Sequence, residues 1–157
     1  MKTDTQGLVE QAKDVALRYL TYRARTQKEM VDKLADYPGE VINEVLMILE
    51  KYGYIDDFAF AQDYVLCRVR NKRFGKLRLR DELREKGVEM GIIDTVLSQL
   101  DYDEIDAAVL KLKNKTSAAA QILTEKEKKK YSDYLARQGF GYDVINQAFE
   151  RFEQSEV

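Results

Sequence analysis

Three features of the sequence could in principle do chemistry: a single cysteine, a pair of adjacent aspartates, and a glycine followed by a lysine. Cys67 has no histidine anywhere in the chain to activate it, so a Cys–His nucleophile is excluded. Asp56 and Asp57 lack the convergent oxygen ligands that magnesium or calcium needs, and either one could instead cap a helix. Gly75 and Lys76 lack the flanking residues of a phosphate-binding loop. We therefore expect a protein that is not an enzyme and that has no catalytic residues, cofactor or metal.

The strongest charge asymmetry lies between Arg68 and Lys86, where nine basic residues face three acidic ones. A predicted turn at Phe74 and Gly75 divides this run, so its cations could form one patch around a helix junction. Such a patch would suit phosphates or an acidic protein surface. The alternative is a solvated helix face whose charges pair with nearby carboxylates, and the excess of arginine favours partner contact. The candidate partner-binding residues here are Arg68, Arg70, Lys72, Arg73, Lys76, Arg78 and Arg80.

Two further basic segments are weaker candidates. Arg23, Arg25 and Lys28 precede a predicted helix and could extend the basic surface, although a solvated face is an equal alternative. The stretch from Lys111 to Lys130 carries seven lysines around a bland segment, and it could be a flexible insertion or a lengthened helix. Partner contact is the less favoured interpretation of this lysine-rich stretch, because exposed helices are commonly rich in lysine.

Composition limits the remaining classes of protein. The chain has 157 residues, 45% of them hydrophobic, which is enough for a packed core. Its 26 basic and 28 acidic side chains give a net charge of -2, so attraction to a polyanion must be local. The first residues lack the apolar core of a signal peptide, and no stretch approaches the roughly 20 apolar residues that span a bilayer. We expect a cytoplasmic monomer.

The clearest pattern is an internal repeat, which appears when three segments are aligned. The segments begin near Glu29, Arg80 and Ser132, and each predicts a short helix, a tight turn and a helix with one apolar stripe. One more apolar helix precedes each pair. The sequence therefore predicts an all-α fold, an elongated tandem array of three three-helix, helix-turn-helix-like repeats, at 1–55, 56–100 and 101–157. The aligned apolar sets are Leu34, Leu83 and Leu135; Ile42, Ile93 and Ile145; and Val45, Val96 and Ala148.

Local signals place the ends of these nine predicted helices. Glycines are expected in the left-handed conformation where helices stop, and they are Gly53, Gly87 and Gly139. Pro38 suits the opening turn of the third helix. A capping residue three positions before an acid predicts three helix starts. These pairs are Thr26 with Glu29, Asp101 with Glu104, and Thr124 with Glu127.

Three segments together resemble the RecX family of bacterial RecA modulators. Ala16–Leu34 is a helix ending in arginines, Gly53–Val65 contains a glycine-tyrosine-aliphatic-Asp-Asp junction, and Arg68–Val88 contains a basic turn with an aromatic residue and a glycine. The resemblance implies tandem three-helix repeats and binding to RecA filaments on single-stranded DNA. It further implies restraint of filament growth, strand exchange, ATP hydrolysis and coprotease activity. A sequence-tolerant nucleic-acid-binding protein and a helical adaptor for another protein remain the alternatives.

Overall fold

The structure, a computed structural model, describes residues 2–116 and 122–154. Over these residues the chain forms nine α-helices and no strand, so the all-α prediction and the helix count are confirmed. The helices are α1 (Lys2–Tyr22), α2 (Gln27–Lys33), α3 (Gly39–Lys51), α4 (Asp57–Lys72), α5 (Lys76–Glu85), α6 (Met90–Gln99), α7 (Glu104–Lys115), α8 (Glu125–Arg137) and α9 (Tyr142–Gln154). No helix in this described part of the chain is both long and apolar enough to cross a membrane.

The chain divides into two compact units. The first unit contains the residues up to Tyr64 together with Leu83–Val96, and the second contains Val65–Glu82 and the residues from Leu97 onward. The middle helices α4, α5 and α6 are therefore each shared between the two units.

In the first unit, α1 and α2 pack on α3. The apolar stripe of α3 supplies much of the core, and the predicted core residue Leu34 is fully buried beside it. The stripe is shifted by one residue at its start, because Val41 is buried while Ile42 is only partly buried. The other buried members are Val9, Ala12, Ala16, Met30, Val45, Leu46, Leu49 and Ile55.

In the second unit, α7 and α8 pack on α9. The aligned residues Leu135, Ile145 and Ala148 are all buried, as the apolar pattern predicts. Phe140 and Phe152 are the largest side chains in this core. A helix with one apolar stripe gains most of its stability from such burial, because each Å² of apolar surface removed from water stabilises the fold by about 25 cal/mol.

The predicted helix starts are confirmed in two cases and wrong in one. Thr26 forms a complete capping box with Glu29 at the start of α2, and the hydroxyl of Thr124 accepts the backbone N–H of Glu127 at the start of α8. Asp101 does not cap α7. Asp103 does so instead, by accepting the N–H of Asp106 at 3.0 Å. Asp101 and Asp103 lie three residues and one residue before the start of α7, and the capping-box spacing favoured the wrong one.

The predicted turn chemistry is largely confirmed. Gly53, Gly87 and Gly139 have φ values of 74°, 87° and 98°, the left-handed conformation that glycine adopts without strain. Pro38 lies at the N-cap position of α3, one residue before the opening turn in which it was predicted. Within the lysine-rich stretch, α7 ends at Lys115 and α8 begins at Glu125. The choice between a flexible insertion and a lengthened helix falls on residues 117–121, which lie outside the described residues.

Candidate partner-binding surface

The turn between α4 and α5 carries the centre of the predicted basic patch. Helix α4 ends at Lys72, and α5 begins at Lys76, which confirms the predicted turn at Phe74 and Gly75. Arg73 takes a φ of 50°, an uncommon conformation for a residue with a side chain, and so reverses the chain direction. This reversal lets Phe74 turn inward, where it is 6% exposed.

Three cations surround the ring of Phe74. The guanidinium carbons of Arg78 and Arg68 lie 3.7 and 4.8 Å from the ring centre, and the Nζ of Lys111 lies 5.4 Å from it. The ring face is the negative part of the aromatic quadrupole, so each contact is attractive. Lys111 also donates a hydrogen bond to the side-chain oxygen of Gln138 at 2.8 Å. The sequence placed Lys111 in a separate segment and gave no signal of this contact.

Glu82 joins two of the same arginines. Its carboxylate accepts hydrogen bonds from Nη2 and Nε of Arg68 at 2.6 and 3.0 Å and lies 3.3 Å from Nε of Arg78. Because the Glu82 side chain is only 17% exposed, these pairs are better shielded from water than typical surface pairs. Arg68 and Arg78 therefore pair with a nearby carboxylate, as the alternative interpretation of the basic run predicts.

The turn itself is fixed by backbone contacts to the loop between α8 and α9. The N–H of Gly75 donates to the carbonyl of Gln138 at 2.8 Å, and the N–H of Leu77 donates to the carbonyl of Gly139 at 3.1 Å. The first backbone N–H of α5, that of Lys76, lies 3.2 Å from a carboxylate oxygen of Glu104. A Cβ on Gly75 would stand 2.2 Å from the carbonyl oxygen of Gly139, so only glycine fits there.

The cations near the end of α4 differ from these internal ones because they are exposed. Arg70, Lys72 and Arg73 are all exposed to solvent, whereas Arg68, Lys76, Arg78 and Arg80 are each partly buried.

The pKa of Lys111 reflects the positive charges of the side chains around it. Burial lowers this pKa below the ordinary value, and the charges of Arg78, Arg73, Lys72 and Lys115 lower it further.

Arg23 and Arg25 lie in the first unit, and both contact Glu29. Arg23 makes a two-pronged ion pair with this carboxylate, while the guanidinium of Arg25 stacks 3.7 Å from the centre of the Tyr19 ring and lies 3.9 Å from the carboxylate. Burial acts to raise the pKa of Glu29, but the hydrogen bonds from Arg23 and Thr26 outweigh it, and the pKa falls below the ordinary value. Arg23 and Arg25 therefore help to stabilise the start of α2 through their contacts with Glu29.

The two aspartates of the Tyr52–Phe60 junction have separate structural roles. Asp56 caps α4 by accepting the N–H of Ala59 at 3.1 Å, which decides between the two candidate caps. Asp57 accepts the N–H of Gln27 at 2.9 Å and so ties the start of α4 to the start of α2. In the parts of the chain that the structure describes, no group of three or more His, Cys, Asp and Glu side chains is placed to hold a metal ion.

Cys67 lies on α4 and is exposed. Its Sγ lies 3.3 Å from the side-chain nitrogen of Asn71, one helical turn further along.

The described residues form an all-helical repeat protein with exposed cations at the end of α4. Two family models match the chain: "RecX, first three-helix domain" at residues 12–46 and "RecX, second three-helix domain" at residues 56–97. Several proteins described as "Regulatory protein RecX" are similar to this chain. The one from Streptomyces lividans is 36% identical over 149 residues, covering 90% of this chain and 79% of the relative. The one from Chlorobium phaeobacteroides is 36% identical over 155 residues, covering 93% and 96%.

Solved structures agree with the sequence comparisons. The crystal structure of RecX from Lactobacillus salivarius superposes with a TM-score of 0.86 at 23% identity, covering 95% of this chain and 99% of that one, a likeness of fold. A second crystal structure of a regulatory protein RecX superposes with a TM-score of 0.79 at 27% identity, covering 94% and 74%. The chain belongs to the RecX family of regulatory proteins. The resemblance seen in the sequence and the predicted helical-repeat fold are both confirmed.

Proposed function

We propose that this protein binds RecA filaments on single-stranded DNA and modulates them, mainly by inhibiting ATP hydrolysis, strand exchange and coprotease activity. Membership of the RecX family supports this function. The proposal gives the chain itself no catalytic reaction. The proposal includes a cytoplasmic monomer and functional repeats at residues 1–55, 56–100 and 101–157.

The exposed cations at the end of α4 carry the proposal for the contact surface. Arg70, Lys72 and Arg73 are the exposed members of the seven candidate residues between Arg68 and Arg80, so they can reach an acidic filament surface or the DNA backbone. The remaining proposed contact residues are Arg23, Arg25, Arg68, Lys76, Arg78 and Arg80. Several of these also hold the fold together, so their substitution would change stability as well as binding.

The experiment is a titration of RecA's DNA-dependent ATPase on single-stranded DNA with the full chain. We expect substoichiometric protein to slow turnover, because a filament bound at a few positions is restrained over many protomers. The protein should also co-sediment with the filament. Unchanged turnover together with no co-sedimentation would contradict the proposal.

A matched pair of triple variants tests the surface. Changing Arg70, Lys72 and Arg73 together to Gln should weaken inhibition, since it removes three exposed cations from one site. The control changes Arg18, Lys51 and Arg84 to Gln, which removes the same charge from exposed positions outside the proposed surface. Equal inhibition by the two triple variants would exclude the end of α4 as the contact.

A sequence-tolerant nucleic-acid-binding protein is the second candidate function, and the same exposed cations favour it. Binding to free DNA through phosphate contacts falls steeply with salt, by orders of magnitude between about 50 and 200 mM for a protein that makes many such contacts. Running the titration at these two concentrations, with and without RecA, separates the candidates. Tight, salt-sensitive binding to bare DNA with no effect on RecA turnover would favour the second one.

A further inference from the structure

The first unit contains an open cleft of about 700 Å³ that none of the basic residues proposed for partner binding lines. It lies where the starts of α2 and α4 meet the end of α3 and the turn that precedes α6. Its sides come from several helices that are close together in this unit.

Part of the lining of the cleft is apolar. Val31 from α2, Phe58 from α4 and Ile92 from α6 line it together with Ile55, which has only 4% of its surface exposed. Val31 is 37% exposed, and Phe58 and Ile92 are partly exposed. Apolar surface from three helices therefore remains accessible within a concave site, where an aliphatic side chain of a partner could be buried.

The rim of the cleft is acidic. Among the described residues that line it, four are carboxylates and one, Lys28, is a cation. The carboxylates are Glu50, Asp56, Asp57 and Glu89. Glu50 also lies in the last turn of α3, where the helix terminus adds negative potential. Low-dielectric walls focus the field of such a rim into the cleft, which attracts a cation and repels phosphate.

Lys28 is held by local contacts. Its aliphatic stem is packed against Gly87, where a Cβ would come within 2.3 Å of the Cβ of Lys28. Its Nζ lies 3.4 Å from the backbone carbonyl oxygen of Glu85.

Among the carboxylates of the cleft, neighbouring negative charges act on Asp57. Burial raises the pKa of Asp57, the N–H of Gln27 opposes this, and the charges of Asp56 and Glu50 raise the pKa further.

We propose that this cleft binds a segment of a partner protein in which an arginine or lysine stands beside an aliphatic side chain. The aliphatic group packs on Val31, Phe58 and Ile92, while the cation pairs with Glu50 and Glu89. Charge complementarity selects this occupant over nucleic acid. The site goes beyond the proposed function, because its charge is opposite to that of the cations at the end of α4. It would give the protein a second, protein-specific contact.

The test uses the full chain labelled with ¹⁵N and three acetylated, amidated heptapeptides in which leucine alternates with arginine, citrulline or glutamate. The arginine peptide, added up to millimolar concentrations, should shift the backbone amide resonances of Gln27, Ile55 and Gly87. The citrulline peptide should bind more weakly because it has the same shape without the charge, and the glutamate peptide should not bind. A single-stranded oligonucleotide should leave these amides unchanged.

A pair of charge variants identifies the rim. Glu50→Gln with Glu89→Gln should weaken binding of the arginine peptide by about fivefold, the effect of losing two exposed ion pairs. Neither side chain caps a helix in the contacts described above, so the fold should persist, as circular dichroism would verify. Glu40→Gln with Glu44→Gln removes the same charge from exposed positions of α3 outside the cleft and should change the affinity less than about twofold.

Four results would overturn the proposal: no shift with the arginine peptide, equal binding of the citrulline peptide, shifts spread away from the cleft, or equal affinity of the two double variants. Shifts of the cleft amides by the oligonucleotide would overturn it as well. None of these results depends on RecA, so the proposed function stands or falls separately in the ATPase titration.

Discussion

The guanidinium of Arg78 lies 3.7 Å from the centre of the Phe74 ring and 3.3 Å from the Glu82 carboxylate. It also lies 3.4 Å from the carbonyl of Arg137, at the end of α8. An arginine that the sequence assigns to partner binding is therefore engaged inside its own unit. A partly desolvated cation–π contact stabilises by about 0.5–2 kcal/mol, so replacing Arg78 would weaken folding and binding together. Arg70, Lys72 and Arg73 are the better probes of a partner.

The carboxylate of Glu82 should contribute measurably to stability. Glu82→Gln keeps the shape of the side chain but removes the charge that holds Arg68 and Arg78. Hydrogen bonds to charged groups contribute about 1.5–3 kcal/mol each when shielded, and this site is partly exposed. We expect the free energy of unfolding in urea to fall by about 1–2 kcal/mol. Glu85→Gln, on the exposed side of the same helix, should stay within about 0.5 kcal/mol. Equal effects would mean that the Glu82 pairs contribute nothing.

Two glycines should respond in opposite directions to alanine. Gly75→Ala places a Cβ 2.2 Å from a backbone oxygen, and neither backbone can move without breaking the bonds between the two turns. We expect a loss of about 3 kcal/mol or more. Gly91 lies in α6 with nothing within 4 Å of its Cβ position, so Gly91→Ala should stabilise by about 0.5–1 kcal/mol. Thermal unfolding of the two variants checks this, and a neutral Gly75→Ala would show that the turns are loosely joined.

The predictions that succeeded rest on local patterns. Apolar spacing, glycines at helix ends and Thr–Glu capping pairs act within a few residues, so the sequence predicts the nine helices of the described residues and most of their ends. The single wrong cap, at Asp101, shows how weak this signal becomes when another aspartate is nearby.

The divided roles of the basic run could not be predicted, because they depend on contacts between distant parts of the chain. Arg68 and Arg78 turn inward because they contact the ring of Phe74 and the carboxylate of Glu82. Lys111 contacts the same ring from α7. The acidic cleft is equally invisible in sequence, since its carboxylates come from separate segments and meet only in the folded unit.

The cap at Thr26 should be more important than the cap at Thr124. Thr26 is fully buried, and its hydroxyl accepts the N–H of Glu29 while donating to the carbonyl of Lys86 at 2.6 Å. Thr124 is exposed, and its hydroxyl makes the equivalent cap at the start of α8. Thr124→Ala should cost about 1 kcal/mol, the ordinary effect of a lost cap. Thr26→Ala should cost about 2–3 kcal/mol, because it also removes the hydrogen bond to the partly buried carbonyl of Lys86. Urea midpoints with unchanged slopes would measure the difference, and equal costs would show that water replaces the lost bond.

Asp57 should make the protein less stable as pH rises. Its pKa is raised in the folded state, chiefly by burial, so the folded state binds the proton more tightly than the unfolded chain does. Stability therefore falls as pH increases from the ordinary aspartate value, about 3.9, through the raised value, and a constant penalty remains at neutral pH. Asp57→Asn carries no charge, and its amide oxygen can still accept the N–H of Gln27. We expect this variant to be more stable than the natural protein at neutral pH, with the difference shrinking below about pH 4.

The competing effect is the positive potential at the start of α4, which stabilises a carboxylate by about 0.3–1 kcal/mol. Urea unfolding across this pH range decides between them: a less stable Asp57→Asn at neutral pH would mean that the helix terminus outweighs burial and the neighbouring carboxylates.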